Sequence, residues 1–476
     1  MSLFVERERE RGMDGRSTPS AMVRIVSRRT VKPPARPRER IPLTTWDVAM
    51  FSANYIQKGL LFPPPAAALS TADLVQRLAA VLAATLADYY PVAGRFVTDK
   101  HLDGDGAVVG CSVSVDCGGQ GVEIVHAVAD GVSVADVPAV VQSLFPLDGA
   151  VNYDGHDLPL FVAQVTELAD GAVVLGFASN HALSDGTAFW NFLNAWAEVA
   201  RSGSRSSHVS SRRRPMFERW SPDGGPAAPF VLPCVDVAEL IERPPPPPLC
   251  DLMVHFSADS LAELKERARQ ELLAAGDAAG AAALTRFQAL TSLLWRCITR
   301  ARRLAPEKQT VCNAACDNRG RLRPALPAEY FGNVVCSVST EPARAKELLA
   351  RGGHGWAAAA VGRAVAAQTD AAARALAAAW AEKPVMYNMG WFDPCATLMG
   401  SSPRFDMYGC DFGLGKPLAV QSGRANKVDG KTSLYPGREG GGSMDAEVTL
   451  APDHMAALQL DQEFWAAVSP SPEGKA

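Results

Sequence analysis

His181 and Asp185 are the residues of this sequence whose types and spacing are best suited to chemistry. They lie in residues 171–187, where an apolar run ends at Asn180 and His181 and a helical pattern begins just after Asp185. The pKa of histidine lies near neutrality, so an imidazole held at a strand end can take a proton from a hydroxyl or an amine. His181 is therefore a candidate general base; the alternative is that a lone histidine is a packing residue.

Asp185 and Thr187 both stand where the N-cap of the following helix belongs, because their side-chain oxygens can accept its first N–H groups. We therefore expect a structural role for Asp185. The His-x-x-x-Asp spacing could also present two metal ligands on a helix, but the sequence contains no second His/Cys cluster to complete such a site. The prediction is that no metal is bound.

The elements that must position these residues follow two periodicities. Short segments rich in β-branched residues predict strands at residues 108–113, 172–177 and 334–338. Apolar residues at helical spacing predict helices at residues 72–88 and 188–200, and the alanine-rich residues 356–380 predict one long packed helix. The mixture indicates an α/β fold.

A change in composition divides the chain into two halves. Residues 201–249 are rich in Ser, Arg and Pro and predict a crossover linker. They separate an N-terminal domain, residues 23–200, from a C-terminal domain, residues 250–476, and both have ordinary domain length. The mixed Arg and Glu residues of 1–22 fit neither a signal peptide nor a transit peptide, so we predict a disordered tail there.

The overall composition narrows the class of protein. The 476 residues are 47% hydrophobic and 21% charged, with a net charge of -4, so no global field favours nucleic acid or an anionic surface. No apolar run approaches the length of about 18 residues that a membrane span needs. The ten cysteines form no CxxC pair and are typical of reduced core cysteines. We predict a cytoplasmic protein with no nucleic-acid partner and no stable membrane insertion.

Other common catalytic signatures are missing from the sequence. There is no Gly-x-Ser-x-Gly elbow and no cysteine-nucleophile motif, and the glycines at residues 413–416 do not make a phosphate loop. The hydrolase, kinase and dehydrogenase classes therefore lose support.

Two motifs resemble the paired HxxxD and DFGWG signatures of the plant BAHD acyl-CoA-dependent acyltransferases. They are Asn-His-Ala-Leu-Ser-Asp-Gly at 180–186 and Asp-Phe-Gly-Leu-Gly-Lys-Pro at 411–417. Further matches follow in the family's order at residues 43–47, 90–95, 317–321 and 330–333. Residues 55–61 and 405–408 also resemble one branch of the family, which includes enzymes of salicylate metabolism.

The resemblance implies a two-domain α/β fold like that of chloramphenicol acetyltransferase, with a channel between the domains. Acyl-CoA, as co-substrate, and an alcohol or amine acceptor would meet at His181, which would act as the general base without a covalent intermediate. It implies no cofactor, and we expect a monomer. Two alternatives stay open: a lyase reaction on the same scaffold, as in the salicylate branch, and a non-catalytic binding role.

By the same resemblance, several residues have structural roles. Asp185 would point away from the reaction and pair with an arginine of the C-terminal half, for which Arg319 is the candidate. The loop of Asp411, Gly413 and Gly415 would be structural and would lie near the CoA channel, and Leu414 stands where the family has Trp.

The resemblance assigns the remaining substrate contacts less directly. Ser401 and Ser402 occupy the stretch in which several family members use Thr and Trp to bind the oxyanion, although these serines could also just shape a turn before Pro403. Thr285, Arg286 and Lys416 are the candidates for binding acyl-CoA, since its phosphates need cations or N–H groups. Lys416 could equally be an ordinary exposed lysine.

Overall fold

The computed structural model describes residues 23–65, 69–202, 214–222, 224 and 227–470. The predicted disordered tail, residues 1–22, lies outside the described residues, as does the part of the predicted linker at residues 203–213.

The strands of the described residues are short and rich in β-branched side chains. They are β1 (Val23–Val31), β2 (Arg40–Pro42), β3 (Ile56–Phe62), β4 (Arg95–Leu102), β5 (Val108–Asp116), β6 (Val122–Ala129), β7 (Phe161–Leu168), β8 (Val173–Ser179), β9 (Val231–Leu232), β10 (Cys250–Phe256), β11 (Gln309–Thr310), β12 (Cys312–Asp317), β13 (Val335–Ser339), β14 (Ala343–Arg344), β15 (Thr397–Gly400), β16 (Ala419–Ser422), β17 (Lys431–Pro436) and β18 (Met444–Leu450).

The helices of the described residues vary widely in length. They are α1 (Thr45–Val48), α2 (Thr71–Asp88), α3 (Val137–Val140), α4 (Gly186–Ser202), α5 (Ala258–Ala274), α6 (Ala278–Ala283), α7 (Arg286–Ala301), α8 (Ala345–Leu349), α9 (Gly353–Ala367), α10 (Asp370–Glu382), α11 (Pro452–Leu458) and α12 (Gln462–Ala467). Single 3₁₀ turns occur at Tyr90–Ala93, Val134–Asp136, Val141–Leu144, Asn152–His156, Val237–Leu240 and Met389–Trp391.

Two six-stranded mixed sheets form the frame of the molecule. The first has the order β1-β6-β7-β8-β3-β16 and the second the order β10-β18-β17-β15-β12-β13. Neighbouring strands are antiparallel except for the parallel pairs β6·β7, β12·β15 and β15·β17. Smaller sheets are formed by β2-β5-β4, with β9 on β5, and by β11-β14.

Strand β16 comes from the C-terminal half but completes the N-terminal sheet. It runs antiparallel to β3, with Ala419 opposite Leu61 and Ser422 opposite Lys58. The C-terminal half thus supplies one edge of the other half's sheet.

The prediction of one long helix over residues 356–380 is wrong, because the chain breaks between α9 and α10. Thr369 caps α10 by accepting a hydrogen bond from the Ala372 N–H at 3.3 Å. The side chain of Gln368 turns inward and donates to Asn318 Oδ1 at 3.0 Å. Helix propensity is high on both sides, but a cap and a buried polar contact outweigh it at this point.

Each half has its own apolar core. Helices α2 and α4 cover the N-terminal sheet, and Leu60, Leu78 and Phe192 are buried between them. Helices α5, α7 and α9 surround the C-terminal core, which includes Leu293 and Val448.

The other face of the C-terminal sheet is polar and meets the N-terminal half. Side chains alternate along a strand, so on β17 Leu434 lies in the C-terminal core while Tyr435 packs into the N-terminal core. Lys431 and Ser433 share the face of Tyr435, and Glu447 on β18 accepts a hydrogen bond from the Tyr435 hydroxyl at 2.8 Å. Charged groups are therefore enclosed where the two halves meet.

Candidate active site

His181 lies just beyond the end of β8, after Asn180, in a turn held by two asparagines. The His181 backbone N–H donates to Asn152 Oδ1 at 2.7 Å, and Asn180 Nδ2 donates to the Asn152 carbonyl at 2.8 Å. Asn180 Oδ1 in turn accepts from the Ala182 N–H at 3.0 Å. Because Asn152 and Asn180 are fully buried, the turn presents the His181 ring from a fixed backbone.

The His181 imidazole is oriented by Asn333, whose Oδ1 lies 3.2 Å from His181 Nδ1. Asn333 Nδ2 donates to the His181 carbonyl at 2.7 Å and to Asp47 Oδ1 at 3.0 Å, so the amide oxygen must face the ring. His181 Nδ1 then carries the proton. No hydrogen bond from the described part of the chain reaches Nε2, which keeps its lone pair.

Burial lowers the pKa of His181 below its ordinary value, and the positive charge of Lys431 acts in the same direction. The hydrogen bond to Asn333 and the negative charge of Asp185 oppose this shift without reversing it. His181 is therefore neutral at neutral pH. It lies deep between the halves but keeps exposed surface, so it is not sealed in the core.

Asp47 binds Asn333 and is itself paired with Arg219. The backbone N–H of Asn333 donates to Asp47 Oδ1 at 3.1 Å, and Arg219 Nε lies 3.6 Å from Asp47 Oδ2. Arg219 also donates to the carbonyls of Phe331 and Leu183. Asp47 was expected only as part of the motif at residues 43–47, and Arg219 was not predicted, since no local pattern shows that the two are paired.

The structure brings Asp185 and Arg319 together in a buried, two-point ion pair. Arg319 donates to the two Asp185 oxygens at 2.8 and 2.9 Å, and both side chains are at most 6% exposed. Asp185 Oδ1 also accepts from the Ala188 N–H at 3.1 Å, as an N-cap does. Thr187 does not cap the helix; its hydroxyl donates to Asp317 at 3.2 Å. The carboxylate of Asp185 is thus held by the first turn of α4 and by the C-terminal half.

The loop of residues 411–415 is anchored to the N-terminal core. Asp411 Oδ1 accepts from the N–H groups of Gly413 and Gly415, both at 2.8 Å, and these glycines have φ values of +86° and +85°. Phe412 is buried against the aromatic rings of the N-terminal core, and Arg77 donates to its carbonyl at 2.9 Å. Only residues that tolerate positive φ fit the glycine positions.

Leu414, in the position of the family's Trp, is half-buried and packs against the edge of the N-terminal core. Its contacts are apolar, so it acts there as a packing residue.

Ser401 and Ser402 lie next to each other but differ in their partners. Ser402 Oγ accepts from the Arg404 N–H at 3.3 Å, so that hydroxyl serves the turn. Ser401 has φ +65°, and its buried Oγ has no hydrogen-bond partner among the described residues. A non-glycine residue at positive φ with an unpaired hydroxyl is unusual and draws attention to Ser401.

Thr285, Arg286 and Lys416 lie away from the His181 turn. Thr285 caps α7, and its hydroxyl accepts from the Gln288 N–H at 3.3 Å. Arg286 donates to the Gly441 carbonyl at 3.1 Å, and Lys416 donates to the carbonyl of Arg438. The structure therefore brings two predicted basic groups to the turn of residues 437–443, where Arg438 adds a third. The sequence analysis did not single out Arg438.

The described part of the chain contains neither a metal-ligand cluster nor a helix suited to cross a membrane. Among those residues no group of three His, Cys, Asp or Glu side chains is placed to hold a metal ion. No helix there combines the length and apolar character that a membrane crossing requires.

A family model described as Transferase family matches residues 21–465 of the chain. The chain is also 31% identical to the BAHD acyltransferase DCR of Arabidopsis thaliana over 466 residues, which cover 93% of this chain and 92% of that protein.

Solved structures with the same fold have much lower sequence identity. Vinorine synthase superposes with a TM-score of 0.71 at 18% identity, covering 94% of this chain and 99% of that one. TRI101 of F. sporotrichioides, solved with coenzyme A and T-2, has a TM-score of 0.70 at 17% identity and covers 90% of this chain and 99% of that one. These matches confirm the predicted fold class.

Proposed function

Because this chain belongs to the BAHD acyltransferase family, we propose that it transfers an acyl group from a CoA thioester to a hydroxyl or an amine, with His181 as the general base. The observation that carries the proposal is the state of the His181 ring. Nδ1 donates its proton to Asn333 Oδ1, and Nε2 carries a lone pair that no hydrogen bond from the described residues engages. The lowered pKa keeps the ring neutral. A neutral imidazole of fixed tautomer is what proton abstraction requires.

The proposed step proceeds without a covalent enzyme intermediate. His181 Nε2 takes the proton of the acceptor O–H or N–H as the acceptor atom forms a bond to the thioester carbonyl carbon. The carbonyl becomes a tetrahedral oxyanion, and its collapse breaks the C–S bond. The departing CoA sulfur receives the proton from His181, which restores the neutral base.

We propose Ser401 as a donor to the oxyanion. Its hydroxyl lacks a partner within the described residues, whereas the hydroxyl of Ser402 is engaged in the turn. A donor aimed at the developing charge contributes more to the transition state than to the ground state.

For CoA, we propose that Arg286, Lys416 and Arg438 hold the phosphates. Arg286 and Lys416 donate to carbonyls of the turn of residues 437–443, and Arg438 of that turn donates to the Pro417 carbonyl. Phosphate groups favour guanidinium and ammonium donors, and a protein of the same fold was solved with coenzyme A. Thr285 stands beside Arg286 and could add a hydroxyl, although it already caps α7.

The proposal is tested by incubating the purified protein with a set of acyl-CoA donors and acceptors while free thiol and products are measured by mass spectrometry. We expect His181→Ala to remain folded and to lose about 10²–10⁴-fold in turnover, the usual contribution of a general base. His126→Ala is the matched control, because His126 lies on β6 outside the turn. Full activity of the His181→Ala variant would contradict the assignment of His181 as the general base. If no donor released CoA, the proposed acyl transfer would be contradicted.

We further propose that the reaction needs no metal or cofactor and that the protein is a monomer. Turnover should be unchanged after treatment with EDTA and gel filtration, and the elution volume should match a single chain of 50.6 kDa. Loss of activity on chelation would contradict the metal-free reaction, and elution as a dimer would contradict the monomer.

A further inference from the structure

A cluster of buried charges lies where β3, β17 and β18 meet between the two halves. It contains three lysines, Lys58, Lys427 and Lys431, but only two carboxylates, Asp251 and Glu447. Both carboxylates are taken by Lys427, whose Nζ lies 2.8 Å from each. Two ammonium groups are therefore left over.

Lys58 and Lys431 meet only neutral partners. Lys58 Nζ lies 2.9 Å from the Tyr435 hydroxyl, and Lys431 Nζ donates to the Asn426 carbonyl at 2.5 Å. Within the residues that the structure describes, neither ammonium has a carboxylate within 4.0 Å. An enclosed cation without an anion is costly, so a lysine in this position either loses its proton or is stabilised by a negative ligand.

The two lysines are enclosed by protein and yet retain exposed surface. Burial and the neighbouring ammonium groups lower the pKa of Lys58 to about 7 and that of Lys431 to about 8, while Glu447 acts in the opposite direction. Both side chains remain half-buried, which places them on the wall of a space that solvent can enter. His181 has the same combination of depth and exposure.

Lys431 belongs to the surroundings of His181, because its charge is one of those that lower the pKa of that ring. It also lies beside Gly400, where an added Cβ would be 3.0 Å from Lys431 Cε. Gly400 directly precedes Ser401, so the ammonium lies near the proposed oxyanion donor. The absence of a side chain at position 400 makes room for the Lys431 side chain.

The acidic members of the cluster also border a second space. Asp251 and Glu447 line a cavity of ≈ 380 Å³ between residues 138–143 and the strands β10 and β18. An anion that approached through this cavity would meet carboxylates first. Of the cluster's lysines, Lys431 is the one whose charge lowers the pKa of His181.

Resting on the acyl transfer proposed above, we infer that Lys58 and Lys431 form a subsite for a carboxylate carried by one of the two substrates. The carboxylate would replace the missing anion of the cluster and accept charge-assisted hydrogen bonds from the two ammonium groups. It would lie beside the reacting atoms and not at the CoA phosphates, which the basic side chains near residues 437–443 serve. The substrate class is an acidic acceptor or a dicarboxylic acyl group.

Binding measurements on matched probes distinguish the two sources of the carboxylate. Isothermal titration of malonyl-CoA against acetyl-CoA tests the acyl group, and 4-hydroxybenzoate against 4-hydroxybenzamide tests the acceptor. We expect the acidic probe of one pair to bind about 10- to 100-fold more tightly than its neutral partner, the range that hydrogen bonds to charged groups provide. Equal binding within both pairs would overturn the inference.

Variants connect the preference to the lysines. Lys431→Met and Lys58→Met should each reduce the acid-to-neutral binding ratio towards one, whereas Lys431→Arg should retain most of it. Lys100→Met is the control, because Lys100 is exposed on β4 and should leave the ratio unchanged. A ratio that survives in both methionine variants would overturn the inference, as would a Lys431→Met effect of equal size on acidic and neutral probes.

The dependence on pH gives a second readout. The groups facing the two lysines are Glu447, Lys427, Tyr435 and, for Lys431, His181. A bound carboxylate favours the protonated lysines, so the acidic probe should bind more weakly at pH 9 than at pH 6.5. A constant acid-to-neutral ratio over that range would contradict the lysine site. CoA release in the same samples tests acyl transfer separately, because the binding ratios do not depend on turnover.

Discussion

Two groups of enclosed charges flank His181, and they differ in how the charges are paired. On the side of the N-H-A-L-S-D turn, Asp185 meets Arg319 and Asp47 meets Arg219. On the side of the C-terminal sheet, Lys58 and Lys431 meet no carboxylate within the described residues. Complete pairing fixes a geometry before any ligand arrives, whereas incomplete pairing leaves a charge for a ligand to satisfy. The first side orients the base, and by our inference the second binds substrate.

The largest effect should follow from breaking the paired side. Asp185→Asn leaves Arg319 with the half-exposed Asp317, 3.2 Å away, as its remaining carboxylate partner, and we expect a loss of about 3–5 kcal/mol in the free energy of unfolding. Activity should fall as well, because the first turn of α4 no longer holds the His181 turn. Urea denaturation measures the stability change.

Asp148→Asn is the matched control for that variant. Asp148 pairs with Arg424 at the surface, where the two side chains are 33% and 44% exposed. Such a pair contributes about 0–1 kcal/mol, so the two variants should differ clearly. A variant of Asp185 with normal stability and no activity would make Asp185 a direct participant in the reaction.

A smaller effect on activity should follow from removing the hydrogen bond that orients the His181 imidazole. Asn333→Ala removes the acceptor of the His181 Nδ1 proton and two hydrogen bonds of the supporting network. We expect kcat to fall about 10²-fold, as for a misplaced catalytic group, while KM for the donor changes little. Asn191→Ala is the control, since the amide of this half-buried residue hydrogen-bonds, within the described residues, only to the Ala328 carbonyl. Equal kinetics in the two variants would show that Asn333 does not position His181.

The two sides should also be coupled through the pKa of His181. Its lowered pKa places the acid limb of the kcat/KM profile below the ordinary histidine value of 6.5. Lys431→Met removes one cause of the lowering, so the limb should move to higher pH. The profile is measured between pH 4.5 and pH 8 with a neutral donor and acceptor. A limb that stays in place would place Lys431 too far away to influence the base.

A separate effect concerns stability on the unpaired side. The pKa of Lys58 is about 7 in the folded chain against an ordinary value of 10.5, so between these values the unfolded chain binds more protons. Stability from this group therefore rises from pH 7 to pH 10 and is lost as the pH falls towards 7. Relative to wild type, Lys58→Met should be more stable at pH 6.5 than at pH 10, as thermal denaturation can show. The opposite trend would mean that Lys58 has a carboxylate partner in solution.

Much of the frame could be predicted from the sequence because its signals are local. Helices α2 and α4 and strands β5 and β8 lie within a few residues of their predicted positions. The break at Thr369 was missed: its cap is a local signal that the alanine-rich pattern outweighed, and the contact from Gln368 to the distant Asn318 leaves no local signal. Alanine-rich periodicity contains no information about such a contact.

In the candidate site, too, the local features could be predicted from the sequence and the contacts between distant residues could not. His181 and Asp185 stand out through their types and their spacing, and Asp185 and Arg319 are in contact in the structure. The lysine cluster gives no signal in the sequence, because Lys58 on β3 is far along the chain from Lys431 on β17 and Glu447 on β18. Only the pairing of β3 with β16 and of β17 with β18 brings these residues together.

Strand β16 has a consequence for any attempt to study the halves alone. A fragment limited to the N-terminal half would leave the outer edge of β3 with unpaired N–H and C=O groups, beside apolar residues such as Leu60 and Leu61. An open apolar edge is a template for pairing with other chains, so such a fragment should aggregate during expression. Supplying residues 417–423 as a separate peptide offers the missing strand, and rescue of solubility by that peptide would make the enzyme a split-protein system with an exchangeable strand.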